Sequence, residues 1–175
     1  LIIRNRGDFI MITIRQPELQ DAQKLWDMMN TLDGQTKFML YEQGERPKTI
    51  APQTNFITAA IENRAFVLAA YDGEKIVGYI TANRGGTKRN RHSAYIVTGI
   101  LSNYRGQKIG SRFFEKLIEW ANMSEINRLE LTVICSNENA LALYKKFGFE
   151  IEGVKRNSLI VDGTFVNEFY MSKIL

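Results

Sequence analysis

The chain has little from which to build a disulfide or a metal centre. Of its 175 residues one is Cys and one is His. Cys135 cannot close an internal disulfide alone, and one Cys with one His is too few for a Cys/His structural metal site. The chain is therefore expected to be reduced, cytoplasmic and without a metal. Long apolar runs are also missing, since none approaches the roughly eighteen residues of a membrane span. The opening Leu1 to Ile10 carries Arg4, Arg6 and Asp8, which does not suit a signal-peptide core. Nor is there a surplus of one charge sign. The formal charge of +4 comes from 23 basic and 19 acidic residues, a mild excess that suits an anionic cofactor as readily as nucleic acid. No module of clustered Lys and Arg with interleaved aromatics is found, so neither nucleic acid nor membrane is an expected partner.

What remains is ample material for a core. With 45% hydrophobic residues the chain suits one domain. Met11 is followed at once by a strand pattern, so the domain is expected over 11–175, with 1–10 an extension preceding the natural start. Ile10 to Arg15 reads as a strand, and Gln16-Pro17 as the opening of a helix whose Leu19, Ala22, Leu25, Trp26 and Met29 form one apolar face. Periodicity vanishes from Thr31 to Gln53, as in a lid or binding loop. Thr54 is the expected N-cap of a second helix reaching Asn63, with Ile57, Ala60 and Ile61 inward. Ala65 to Tyr71 and Lys75 to Thr81 flank Asp72-Gly73 as a hairpin. The following Arg84, Lys88, Arg89 and Arg91 are read as a solvated tip rather than a phosphate contact. His92 to Leu101 is a strand, Ser111 to Met123 an amphipathic helix and Leu129 to Ile134 a strand, together a right-handed parallel crossover. Phe149 to Val161 and Phe165 to Ile174 then flank Asp162-Gly163 as a long hairpin. The expected class is α/β (α+β), with a mixed, mostly antiparallel sheet of six or seven strands and about four helices.

The turn Tyr104 to Ser111 joins the central strand to its helix and holds Gly106 and Gly110. Backbone N–H groups in such a turn converge, and the helix N-terminus adds partial positive charge, so an anion is held with few basic side chains. Neither the P-loop nor the dinucleotide fingerprint fits its glycine spacing. The turn instead resembles the pyrophosphate loop of the GNAT superfamily, which reads Gln or Arg, two residues, Gly, one residue, then Gly or Ala. Arg105 and Gly110 match, with Lys108 at the first glycine position, so no positive φ is expected there. A second match lies in Asn137 to Phe149, which resembles the superfamily helix Asn-x-x-Ala-x-x-Leu-Tyr-x-x-x-Gly-Phe almost position for position.

The resemblance implies an acetyl-coenzyme A dependent N-acetyltransferase. Two parallel strands are expected to splay near Ile100 and Val133, with the pantetheine arm against Thr98 and Ile100. Gly106, Gln107, Lys108, Ile109, Gly110 and Ser111 would hold the pyrophosphate, and Asn137 the pantetheine arm. Asn137 and Tyr144 are expected on one helix face, with Tyr144 protonating the departing thiolate. Family members often carry a strand glutamate as base, where this chain has Tyr95 and Thr132, which leaves Glu42 and His92 as candidates. Cys135 lacks an activating partner in sequence, so direct transfer in a ternary complex is expected. The acceptor amine is left open among a small amine, an amino acid and a protein N-terminus, as is a homodimer. The alternatives are a coenzyme A sensor without catalysis and a nucleic-acid binder using Arg84 to Arg91.

Overall fold

A computed structural model describes residues 3–5 and 8–175. Its first strands, β1 (Ile3–Asn5) and β2 (Asp8–Ile10), pair antiparallel as a small ribbon. The extension expected over 1–10 falls partly on this ribbon and partly on residues 1, 2, 6 and 7, which lie outside the described residues. A seven-stranded sheet follows, built from β3 (Ile12–Arg15), β4 (Ala65–Asp72), β5 (Lys75–Arg84), β6 (Ser93–Ile100), β7 (Arg128–Ile134), β8 (Glu150–Val161) and β9 (Thr164–Ile174). Its order is β3-β4-β5-β6-β7-β9-β8. Strands β6 and β7 are parallel, while β3 with β4, β7 with β9 and β8 with β9 are antiparallel, so the mixed sheet is as expected. The α-helices are α1 (Ala22–Asp33), α2 (Ala51–Ile61), α3 (Ile109–Met123) and α4 (Glu138–Lys146).

The chain divides into two compact units, one of Leu1–Ala82 with Val97–Phe113 and one of Asn83–Ile96 with Phe114–Leu175. In the first, α1 buries Ala22, Leu25, Met28, Met29 and Leu32, whose three- and four-residue steps make a single apolar stripe. Burying a side chain such as Leu25 or Leu32 contributes about 1.5–3 kcal/mol. Pro17 does not open α1. A 3-10 turn over Leu19–Asp21 comes first and leaves Leu19 51% exposed, off the apolar stripe. Asp21 holds that turn, accepting from the Glu18 N–H, the Arg15 guanidinium and the Tyr71 hydroxyl.

Helix α2 starts four residues earlier than expected, with Ile50 rather than Thr54 as its N-cap. Proline in its first turn costs no intrahelical bond, and Thr54 lies inside the helix, donating its hydroxyl to the Ile50 carbonyl. Ile57 and Ala60 are buried, but Ile61, the last residue of the helix, is 54% exposed. Between α1 and α2 the segment 34–50 has no regular structure. It is latched by Arg46, whose Nε and Nη2 bond both Asp33 carboxylate oxygens at 2.7 and 3.0 Å and whose guanidinium lies 4.7 Å from the Tyr41 ring centroid. Trp26 adds a second tie by donating to the Pro47 carbonyl.

In the second unit, Phe114 of α3 is fully buried and packs against Tyr144, Phe147 and Phe149 with ring centroids 5.5 to 5.6 Å apart. Strand β7 pairs with β9 from Arg128↔Ile174 to Ile134↔Glu168. Because paired residues share a face, Glu130, Thr132, Tyr170 and Ser172 lie together on one side, with Leu129, Leu131 and Met171 buried on the other.

Candidate active site

In the first unit the turn after β6 is shaped by two left-handed residues, Gly106 at φ +75° and Lys108 at φ +60°. The expectation that Lys108 needs no positive φ is therefore wrong. Glycine is the usual occupant because a side chain in this region costs roughly 1–2 kcal/mol, and this chain places Lys there all the same. The first helical bond of α3 runs from the Arg112 N–H to the Lys108 carbonyl, so the amides of Ile109 and Gly110 have no acceptor within the helix. A Cβ at Gly106 would meet nothing within 4 Å, so the outside of the turn is open. Gln107 donates from Nε2 to the Asn103 carbonyl while its Oε1 is buried without a partner among the described residues. Alternating backbone hand, open amides and the positive end of a helix fit an anionic group such as a pyrophosphate.

The same turn is anchored at both ends. Tyr104 donates to Asp72 Oδ2 at 2.7 Å, and burial together with that bond pushes its phenol up to about 12. Arg105 folds back, with Nε 3.2 Å from the Ile100 carbonyl. On β6 the Leu101 N–H donates to the Val77 carbonyl of β5, so by strand alternation Thr98 and Ile100 present their peptide groups at the opposite edge. The Thr98 hydroxyl donates to the Tyr79 carbonyl. Gly99 is required by packing, since a Cβ there would come within 2.3 Å of Leu32.

In the second unit the parallel register of β6 and β7 comprises Ser93↔Arg128, Ala94↔Leu129 and Tyr95↔Glu130. Asn137 is the N-cap of α4, its Oδ1 accepting from the Ala140 N–H at 3.3 Å, rather than a residue of the helix face that was to carry it alongside Tyr144. Tyr144 is 8% exposed, its ring against Phe114 and Phe149, and its hydroxyl makes no hydrogen bond among the described residues. Burial first, and the Tyr95 charge second, push its phenol up to about 12. It is thus a neutral O–H across the physiological range.

Both candidate bases are exposed, Glu42 on the 34–50 segment with its N–H bonding Glu45, and His92 just before β6. Tyr95 and Thr132, expected to stand in place of a strand glutamate, hydrogen-bond to each other through the Tyr95 hydroxyl and Thr132 Oγ1 at 2.9 Å. Cys135 is half-buried, and burial raises its thiol above the usual range, the opposite of an activated nucleophile. Sequence reasoning missed a charged cluster beside Tyr95. Arg128 Nε bonds Glu130 Oε2 at 2.7 Å, and its Nη1 and Nη2 bond both oxygens of Glu152. The alternation Arg128, Glu130, Thr132 was the available signal, but its meeting with Glu152 depends on the β8–β9 hairpin register.

These features can be set beside known proteins. The pattern of the acetyltransferase (GNAT) family matches residues 26–149. The chain belongs to that family. It is 31% identical over 109 residues to the L-amino acid N-acetyltransferase AaaT of Escherichia coli, covering 62% of this chain and 67% of the relative. A solved GNAT-family acetyltransferase from Streptococcus pneumoniae superposes with a TM-score of 0.88 at 30% identity, over 94% of this chain and 99% of the other. YncA from Salmonella typhimurium, a putative acetyltransferase solved with acetyl-CoA, shares the fold at TM-score 0.83 and 15% identity, over 94% of each chain. Against three curated relatives that it matches, the chain spans 67%, 38% and 55% of their lengths. The seven-stranded mixed sheet is the fold that the chain shares with these solved structures. Among the described residues no helix is long and apolar enough to cross a membrane.

Proposed function

We propose that this GNAT protein transfers acetyl from acetyl-coenzyme A directly to a primary amine, with Tyr144 as the proton donor to the departing thiolate. The observation that carries this assignment is Tyr144 itself, a buried ring whose neutral hydroxyl has no partner among the described residues and is not itself closed off. A thiol has a pKa of about 8.5, so a phenol held near 12 is still protonated when the thiolate forms and can lend its proton as the C–S bond breaks. The backbone of Gly106, Gln107, Lys108, Ile109, Gly110 and Ser111 holds the pyrophosphate, supported by the two left-handed residues and the open amides of α3. The pantetheine arm runs along Thr98 and Ile100, whose peptide groups face away from β5. The Asn137 amide, with its oxygen engaged in the cap, offers its N–H₂ to the same arm. The domain carrying these functions is 11–175, and it acts in the cytoplasm. The acceptor is an amine of a small molecule, an amino acid or a peptide N-terminus, and AaaT, named for L-amino acids, favours the second.

Tyr144→Phe keeps the ring and removes the hydroxyl. Acetyl-coenzyme A affinity by calorimetry should hold while turnover falls roughly 10²- to 10⁴-fold, and the loss should shrink with acyl donors whose thiols are more acidic. Unchanged turnover per folded molecule would pass the proton to water. Cys135→Ala should leave turnover intact, and its loss with cofactor binding preserved would end direct transfer.

A further inference from the structure

A cavity of about 260 Å³ is lined by Tyr95 of β6, Arg128, Glu130 and Leu131 of β7, Glu152 of β8, and Tyr170 and Met171 of β9. Its charge does not balance. One guanidinium, Arg128, serves two carboxylates, bonding Glu130 through one oxygen and Glu152 through both. Ser172 donates to Glu152 as well, and burial is too slight to oppose these bonds, so Glu152 titrates at about 2 and stays ionised. The cavity is left with one negative charge in excess. Glu130 Oε1 accepts no hydrogen bond among the described residues, and the residues Tyr95 and Tyr170 are 40% and 46% exposed. A free carboxylate oxygen beside two accessible aromatic faces is complementary to an organic cation, through Coulomb attraction and cation–π contact together. The volume lies below that of pockets that take whole metabolites, which suits one cationic group of a larger molecule.

Tyr95 forms a wall of the cavity and lies on β6, the strand that leads into the turn proposed to hold the cofactor. We propose that this cavity binds the second positive group, an alkylammonium, of an acceptor that carries two. The proposal rests on the acetyl-transfer reading for the words "acceptor" and "second"; the cation site itself does not.

The test is therefore a binding measurement without coenzyme A. 1,4-Diaminobutane and n-butylammonium are titrated into ¹⁵N-labelled protein at neutral pH, with 1,4-butanediol as the neutral control, and the amides of Tyr95, Glu130, Thr132 and Tyr170 are followed by NMR. Both cations should give saturable shifts at those amides, with Kd of about 1–10 mM, and the diol none. Glu130→Gln should weaken the binding roughly five- to tenfold, and raised salt should weaken it further. Tyr170→Leu, which keeps apolar area but loses the ring face, should weaken it roughly two- to fivefold. Equal saturation by the diol, unchanged affinity in Glu130→Gln, or no saturable shift at these amides would overturn the site. A parallel thiol-release assay separates the two readings. Release with n-butylamine but no cation-specific shift removes the subsite alone, whereas cation binding with no thiol release from any amine removes acetyl transfer.

Discussion

Lys108 carries the clearest tension between a residue and its backbone. At φ +60° it bears a cost of roughly 1–2 kcal/mol relative to glycine in the folded state, while Gly in its place would loosen the unfolded chain by roughly 0.4–1 kcal/mol. The difference is roughly 0 to 1.6 kcal/mol, so Lys108→Gly should leave stability unchanged or raise it by up to about 1.6 kcal/mol, by denaturant titration. Lys108→Val should lower it, because a β-branched side chain tolerates this region least. Strain kept at a turn of this kind is a mark of use, and here the side chain adds a point charge beside the open amides. Gly110, by contrast, takes helical backbone angles in α3, so Gly110→Val should fold normally and lose coenzyme A affinity by calorimetry; unchanged affinity would move the pyrophosphate elsewhere. Tyr144 supplies a pH prediction whose sign follows from its environment. Its folded pKa of about 12 lies above the unfolded value of about 10, so stability from the neutral buried phenol is complete below pH 10 and lost as pH rises through 12. Turnover should accordingly show no Tyr144-dependent fall between about pH 8 and 10; such a fall, abolished in Tyr144→Phe, would contradict the burial argument.

Among the elements, the segment between α1 and α2 is held by an ion pair rather than by a helix. Asp33 has no exposed side-chain surface and Arg46 only 11%. Removing one partner leaves the other charge buried, so Arg46→Ala should cost about 3–5 kcal/mol, seen as a lower midpoint in urea, with the 34–50 segment cleaved first in limited proteolysis. A loss below about 1 kcal/mol would show that water reaches Asp33. The elements themselves were largely legible in the sequence. The β4–β5 hairpin was marked by Asp72-Gly73, α3 by its apolar stripe, and the crossover by a strand on either side. Boundaries failed where one cue stood for another. Pro17 was taken for a helix start, although Asp21 builds a separate 3-10 turn there, and Thr54 was taken for a cap although proline at position 52 allows an earlier beginning. The proposed site was legible in its loop and its tyrosine because both lie in contiguous motifs. The Arg128, Glu130 and Glu152 cluster was not, since β8 departs from regular register between Ile151 and Gly153 and no local pattern announces which face Glu152 takes.

For the molecule as a whole, a charge of +4 is too small to bind polyanions by itself, yet it should help a multiply charged cofactor. Coenzyme A affinity should fall as salt rises from about 0.05 to 0.5 M, and Lys108→Gly should flatten that dependence; a slope unaffected by the substitution would place Lys108 in solvent. Arg84 ends β5 and Lys88, Arg89 and Arg91 follow it, the last three exposed. Their use by duplex or single-stranded nucleic acid would give steep salt dependence, and the absence of retardation at low salt would remove it. The single Cys135, with its thiol held protonated, has a practical consequence for the enzymology. A disulfide reagent at neutral pH should meet released coenzyme A promptly and the protein thiol only slowly, as a separate, stoichiometric phase. The background of a continuous thiol assay is then fixed by enzyme concentration, and a baseline taken without donor measures it directly.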